Sequence, residues 1–205
     1  MLLRISKRIV SGWNESGITM REYEEAYVYG VQLLLSTLIN TSCIALISTV
    51  VGCPYAWIPF LVGFIPIRVT AGGYHAKTPL LCSVVFCSSY CIGLLLIESA
   101  YDTAQIMICI VNSIVAMLVV YLISPIPASN KPLLSREKKK KRALSLCTTS
   151  ILLLISVILL HLQVAQSFTI YLTYGEITSA FFLILGKLLA IRGKEQTSKL
   201  LKCKC

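Results

Sequence analysis

Apolar residues in this chain run in long stretches broken by short polar connections. The stretches fall at about 29 to 51, 55 to 70, 80 to 98, 104 to 124, 144 to 164 and 167 to 190. A helix rises about 1.5 Å per residue, so about 20 residues cross a hydrocarbon core of about 30 Å. Lipid offers no partner to backbone N–H and C=O groups, and a helix satisfies them internally. The pattern therefore predicts an all-α, polytopic integral membrane protein with about six transmembrane helices in one domain over residues 1–205. The second stretch is the shortest and holds Pro59, Gly63 and Pro66, so it is expected to be kinked or partly re-entrant.

Polar positions inside the stretches are periodic. Gln32, Ser36 and Asn40 recur every four residues and share one face of the first predicted span. Thr169, Thr173, Glu176 and Ala180 form a second such stripe in the last span. Both faces are expected to look into the bundle, as packing alone would require. Glu176 is the one carboxylate well inside a span, which makes it a candidate functional group that could pair with a base, orient a catalytic side chain or be held protonated.

The connections separate by charge. Four Lys or Arg precede the first span, Arg68 and Lys77 lie between the second and third, seven fall from Lys131 to Arg142, and six follow from Lys187. The connections near 52 to 54, 99 to 103 and 165 to 166 carry none of the 19. The positive-inside rule then places both termini on the cytoplasmic side, with residues 191–205 a basic cytoplasmic tail. No apolar run of seven or more follows Arg4, Lys7 and Arg8, so the first 28 residues do not read as a cleaved signal segment. Leu2, Ile5, Ile9 and Trp13 recur at helical spacing opposite those charges, which predicts a short amphipathic helix at the inner leaflet.

Composition agrees with a membrane location: 56% of residues are hydrophobic and 14% are charged, about half the charge of an ordinary soluble domain. The net charge of +10 lies between spans, which fits anionic lipid and not nucleic acid. The run Lys138 to Lys141 with Arg142 would be held to anionic lipid by about 1 kcal/mol per basic residue, and could equally dock an acidic peptide. The nine cysteines are odd in number, lack CxxC pairing and lie mostly in apolar stretches, where small soft side chains pack between helices.

One cysteine sits differently. Between the second and third spans the chain reads IPIRVTAGGYHAKTPLLCSVVF, which brings Arg68, Gly72, Gly73, His75 and Cys82 close together on the cytoplasmic side. Thr78 is a good N-cap and Pro79 suits a first helical position, so Cys82 is expected in or just after the first turn of the third span. There the thiol, ordinarily with a pKa of about 8.5, meets the positive end of the helix dipole, and His75 can fold back to it from a loop made pliable by Gly72 and Gly73. A Cys-His pair of this kind is a nucleophile and its base. Gly72 and Gly73 could offer N–H groups to an oxyanion, and Arg68 could stabilise charge or hold a substrate carboxylate. On the residues alone, a packing cysteine beside an interfacial histidine fits as well. His161, near the far end of the fifth span, reads as a packing or interface residue.

The string Arg68-x-x-x-Gly72-Gly73-x-His75-Ala76, with Cys82 seven residues past the histidine, resembles the accessory gene regulator protein B (AgrB) family. The resemblance implies a cysteine endopeptidase in the cell membrane of a Gram-positive bacterium that removes the C-terminal part of an AgrD-like propeptide in quorum sensing. Carried onto this chain, it implies that Cys82 attacks the scissile carbonyl to give an acyl thioester while His75 takes up and returns the proton. An internal cysteine or serine of the peptide would then attack the thioester and close a thiolactone or lactone ring. Arg68 and Gly73 also fall on family positions, no third triad member is identifiable, and a homodimer is implied. A metalloprotease is disfavoured, since HExxH is absent and the two histidines fall on opposite sides, a GxSxG serine hydrolase motif is also absent, and no metal or organic cofactor is expected. Two other classes remain open on sequence, a small transporter lined by the polar stripes and a non-catalytic membrane scaffold.

Overall fold

The computed structural model describes residues 2–17, 21–72, 79–99, 102–126, 135–162 and 166–202. His75, Gly73 and Thr78 lie outside them. Every regular element among the described residues is helical, in the order α1 (Leu2–Glu15), a 3-10 turn (Arg21–Tyr23), α2 (Glu24–Val51), α3 (Trp57–Ala71), α4 (Pro79–Glu98), α5 (Asp102–Ile123), α6 (Ser135–His161) and α7 (Gln166–Lys202). Five of them, α2 and α4 to α7, are long and apolar enough to cross a membrane; α3 is apolar but shorter, with 15 residues.

The helices alternate in direction. The C-terminal parts of α2 and α4 meet where Ser48 and Tyr90 share a hydrogen bond, and the start of α7 joins the end of α4 where Tyr171 donates to Glu98. At the other end, Ile126 N–H just past α5 donates to Ala71 O of α3 at 3.0 Å, and Arg142 of α6 donates to Tyr121 O of α5 at 3.2 Å.

α7 is the hub, packed most extensively on α3 and α5. Two glycines explain how closely α3 and α7 approach. A Cβ on Gly63 would lie 2.1 Å from Leu172 O, and one on Gly175 would lie 2.2 Å from Phe60 O. Small residues at such a crossing let two backbones touch, a contact that dispersion rewards where no hydrophobic drive exists between helices in lipid. Around the crossing, Phe60 stacks on Phe64 with centroids 5.7 Å apart and meets Tyr90 edge-on at 4.7 Å, while Phe64 reaches Phe86 and Phe182. Leucines and isoleucines elsewhere on α2, α4, α5 and α6 stay exposed, as lipid-facing surfaces do.

The second predicted span, expected to be kinked or re-entrant, runs as one continuous element. Pro59 is its third residue, where a missing N–H costs no intrahelical bond, and only Pro66 lies in the interior. α6 already begins at Ser135, ahead of the predicted start of span five, and carries the basic run in helical form. α7 likewise continues to Lys202, through most of the basic tail. Long unbranched lysines and arginines are good helix formers, so nothing stops the helices at the charge boundary.

The amphipathic N-terminal helix is present. Val10 is buried against Val28 and Val31 of α2, with Ile9 beside them, Ser6 is buried as well, and Ile5 and Trp13 stay exposed, as an apolar face toward lipid does. In α7 the expected stripe is fully inward: Thr169, Thr173, Glu176 and Ala180 are all buried. Gln32, Ser36 and Asn40 of α2 are only half-buried.

Gly175→Ala tests the helix crossing. Its new methyl group meets backbone, which a side-chain rotation cannot relieve, so a loss of about 1–3 kcal/mol of stability is expected. Thermal unfolding in detergent should show a lower midpoint than wild type, whereas Gly30→Ala, inside α2 where a Cβ meets nothing, should hold or raise it.

Candidate functional site

Cys82 is the fourth residue of α4, which starts at Pro79 as the sequence implied, so the thiol lies in the helix's first turn. It is half-buried. The helix dipole there favours negative charge.

Arg68, in the last turn of α3, lies within electrostatic reach of Cys82, so that a thiolate and the guanidinium attract one another. The guanidinium is held rather than loose: Nη1 donates to Gly72 O at 3.3 Å, and the group stacks over the Phe182 ring of α7 at 5.4 Å. A cation at a helix C-terminus is favoured by the dipole, and a cation over an aromatic face adds about 0.5–2 kcal/mol. The end of α3 and the start of α4 thus bring together a fixed cation and a thiol.

Gly72 has a structural reason to be glycine. It ends α3 with φ +83 and ψ −145, a region closed to other residues, and its N–H bonds Arg68 O at 3.2 Å. A Cβ there would lie 2.6 Å from Ile126 O. The chain leaving α3 is therefore pressed on the segment leaving α5, which fixes where the Gly73–Thr78 connection begins. Gly72's role as an oxyanion donor is not what this geometry shows, since its N–H is already spent on the helix cap. Gly73 and His75 lie outside the described residues.

A groove of about 470 Å³ runs between α4 and α7, lined by Val84, Val85, Ser88, Ser89, Tyr174 and Thr178 among others. Tyr174 closes its floor by donating to Ser89 O. Gly93 makes room for that ring: a Cβ there would sit 1.8 Å from it. A larger hollow, about 890 Å³, belongs to α1 and is lined by Arg4, Ile5, Arg8, Ile9, Gly12 and Trp13. Glu176 takes no part in the Cys82 turn. It is buried at mid-bundle, where Ser113 of α5 donates to its Oε2 at 2.7 Å. His161 is exposed at the end of α6 remote from Cys82.

Sequence reasoning did not find Phe182, Ile126 or Tyr174, because each acts through a contact between segments distant in the chain. A glycine at the end of an apolar stretch was the available signal for Gly72, and it pointed to a turn as readily as to an oxyanion hole.

These features define a helical membrane protein with a cysteine at a helix start, backed by a packed arginine. A family model described as Accessory gene regulator B matches residues 4–188, nearly the whole chain, and the protein belongs to that family. Among curated proteins, the chain is 28% identical over 147 residues to the AgrB-like protein 2 of Clostridium perfringens strain 13 (type A), covering 69% of this chain and 68% of that one. It is also 28% identical over 144 residues to an AgrB-like protein of Clostridium perfringens strain SM101 (type A), covering 67% of this chain and 64% of the relative. No solved structure matches.

Replacing Gly72 by alanine forces a strained backbone and a clash with Ile126 O, so about 1–3 kcal/mol of local stability should be lost. Hydrogen exchange should report it as faster exchange at the ends of α3 and α5, with the centre of α7 unchanged.

Proposed function

We propose that the protein is a membrane cysteine endopeptidase that cleaves the C-terminal part of an AgrD-like propeptide. Membership of the accessory gene regulator B family supports this reading, and one observation carries it: Cys82 in the first turn of α4, at the end of the bundle where the Arg68 guanidinium is fixed by Gly72 O and the Phe182 ring. Cys82 attacks the scissile carbonyl and His75 accepts its proton, then returns it to the leaving amine. Arg68 stabilises the thiolate before attack, and its anchoring on Phe182 and Gly72 fixes its position. The resulting acyl thioester is the species from which an internal cysteine or serine of the peptide closes a thiolactone or lactone.

The protein lies in the cell membrane of a Gram-positive bacterium, with both termini and the Cys82 end cytoplasmic, and acts as a homodimer. The orientation follows from the basic residues gathered in the connections at that end. Anionic lipid and the acidic part of the propeptide both have a binding surface in the exposed basic turns of α6. The groove beginning one turn beyond Cys82 is where the substrate's apolar residues are held.

Protein reconstituted in liposomes with an AgrD-like propeptide should release a C-terminal fragment detectable by mass spectrometry. Cys82→Ala and His75→Ala should leave the precursor intact while folded and inserted, and Arg68→Lys should slow cleavage about tenfold or more, because a point charge loses the planar stacking and fork geometry. Cleavage that persists without Cys82 would show another nucleophile. Tags on both termini should be digested in inside-out vesicles and protected in right-side-out ones.

A further inference from the structure

Glu176 sits ten residues into α7 and has no solvent exposure. Its Oε2 accepts from Ser113 Oγ at 2.7 Å, and its Oε1 has no hydrogen-bond partner. From α6, Ser156 acts on the same carboxyl, and its Oγ, 2% exposed as a residue, is also without a hydrogen bond. Two orphaned buried oxygens thus belong to one cluster. The facing groups are Cys109 and Ser113 from α5, Ser156 from α6 and Thr173 on α7, while α3 presents the Phe60–Phe64 backbone at Gly175. Among the described residues no lysine, arginine or histidine acts on Glu176.

An ionised carboxylate in this place would hold a full charge inside a span with only serine hydroxyls to answer it and, among the described residues, no cation, which is a costly arrangement for a buried charge. One proton removes the conflict. Placed on Oε1 it turns an orphaned acceptor into a donor, and Ser156 Oγ becomes its acceptor. A metal cation fits poorly, since one carboxylate and two hydroxyls fall short of the six or so oxygens that such ions commonly take.

We propose that Glu176 is a proton-binding site, carried as the neutral acid in the folded protein, with Oε1–H donating to Ser156 and Oε2 accepting from Ser113 so that one carboxyl clasps α5, α6 and α7. The site goes beyond the Cys82 chemistry and does not depend on it. The proton comes from water, and no other bond is made or broken.

Infrared difference spectra of membranes at neutral pH test this, comparing wild type with Glu176→Gln. A carboxylic-acid C=O stretch should appear in the wild type, be missing in Glu176→Gln, and shift when Ser156→Ala removes its acceptor. Glu176→Gln, which mimics the neutral acid, should keep the wild-type thermal midpoint, whereas Glu176→Ala should lower it. A carboxylate band at Glu176 would overturn the proposal. So would a midpoint that sodium or potassium raises in wild type but not in Glu176→Gln, which would make the site one for a metal ion.

Discussion

The bundle depends on one backbone contact, the crossing of α3 and α7 at Gly63 and Gly175. In lipid a helix gains little by hiding apolar side chains from surroundings that are equally apolar. Close approach has to supply the attraction, and it is available only where both partners lack a Cβ. With the two main chains touching, the aromatic rings of Phe60, Phe64, Phe86 and Phe182 fill the space around the crossing. Because Arg68 and Phe182 flank the same pair of helices, the crossing also sets the position of the guanidinium relative to α4.

The polar groups are distributed in depth along the bundle. At one end stand Arg68, Gly72, Cys82 and Arg142; in the middle Ser113, Ser156 and Glu176; at the other end Cys53, Glu98 and Tyr171, where burial and the neighbouring Glu98 carboxylate act on the Cys53 thiol. Among the described residues, only the first of these zones brings a thiol near a cation. The middle one is sealed: the Ser113 hydroxyl ties α5 to α7 through Glu176, while Thr173 spends its hydroxyl within α7, on Ile170 O.

Much of this architecture was readable in advance. A segment that must satisfy every backbone polar group internally while surrounded by lipid has little choice of conformation, so apolar length alone marked the spans, and Pro79 marked where α4 starts. The α7 stripe was equally plain, because a carboxylate and two threonines at helical spacing have only one acceptable direction to face. Boundaries set by charge were misplaced, since a lysine run ends a hydrophobic stretch without ending a helix. The partners of Glu176 and Arg68 were invisible for a different reason. Ser113, Ser156 and Phe182 are ordinary residues in ordinary helices, and what selects them is the rotation of one helix against another. Gly72 was noticed for its place in a motif, but its reason, the close pass of Ile126, belongs to the three-dimensional packing.

The helical form of the basic run in α6 has its own consequence. From Arg136 to Arg142 six cationic side chains are strung over about 9 Å of axis, close to one Debye length at physiological salt. Charges held this near one another are screened together and behave as a single multivalent ion, with Glu137 as a small internal offset. Because the rod is already ordered, an anionic surface meeting it forfeits little chain entropy, and the mutual repulsion of the lysines is a fixed cost met on folding, where Arg142 is fastened to Tyr121 by a hydrogen bond and its ring face. Counter-ions released from such a rod leave as a group, so attraction to any polyanion falls steeply, and not in proportion, as salt is added.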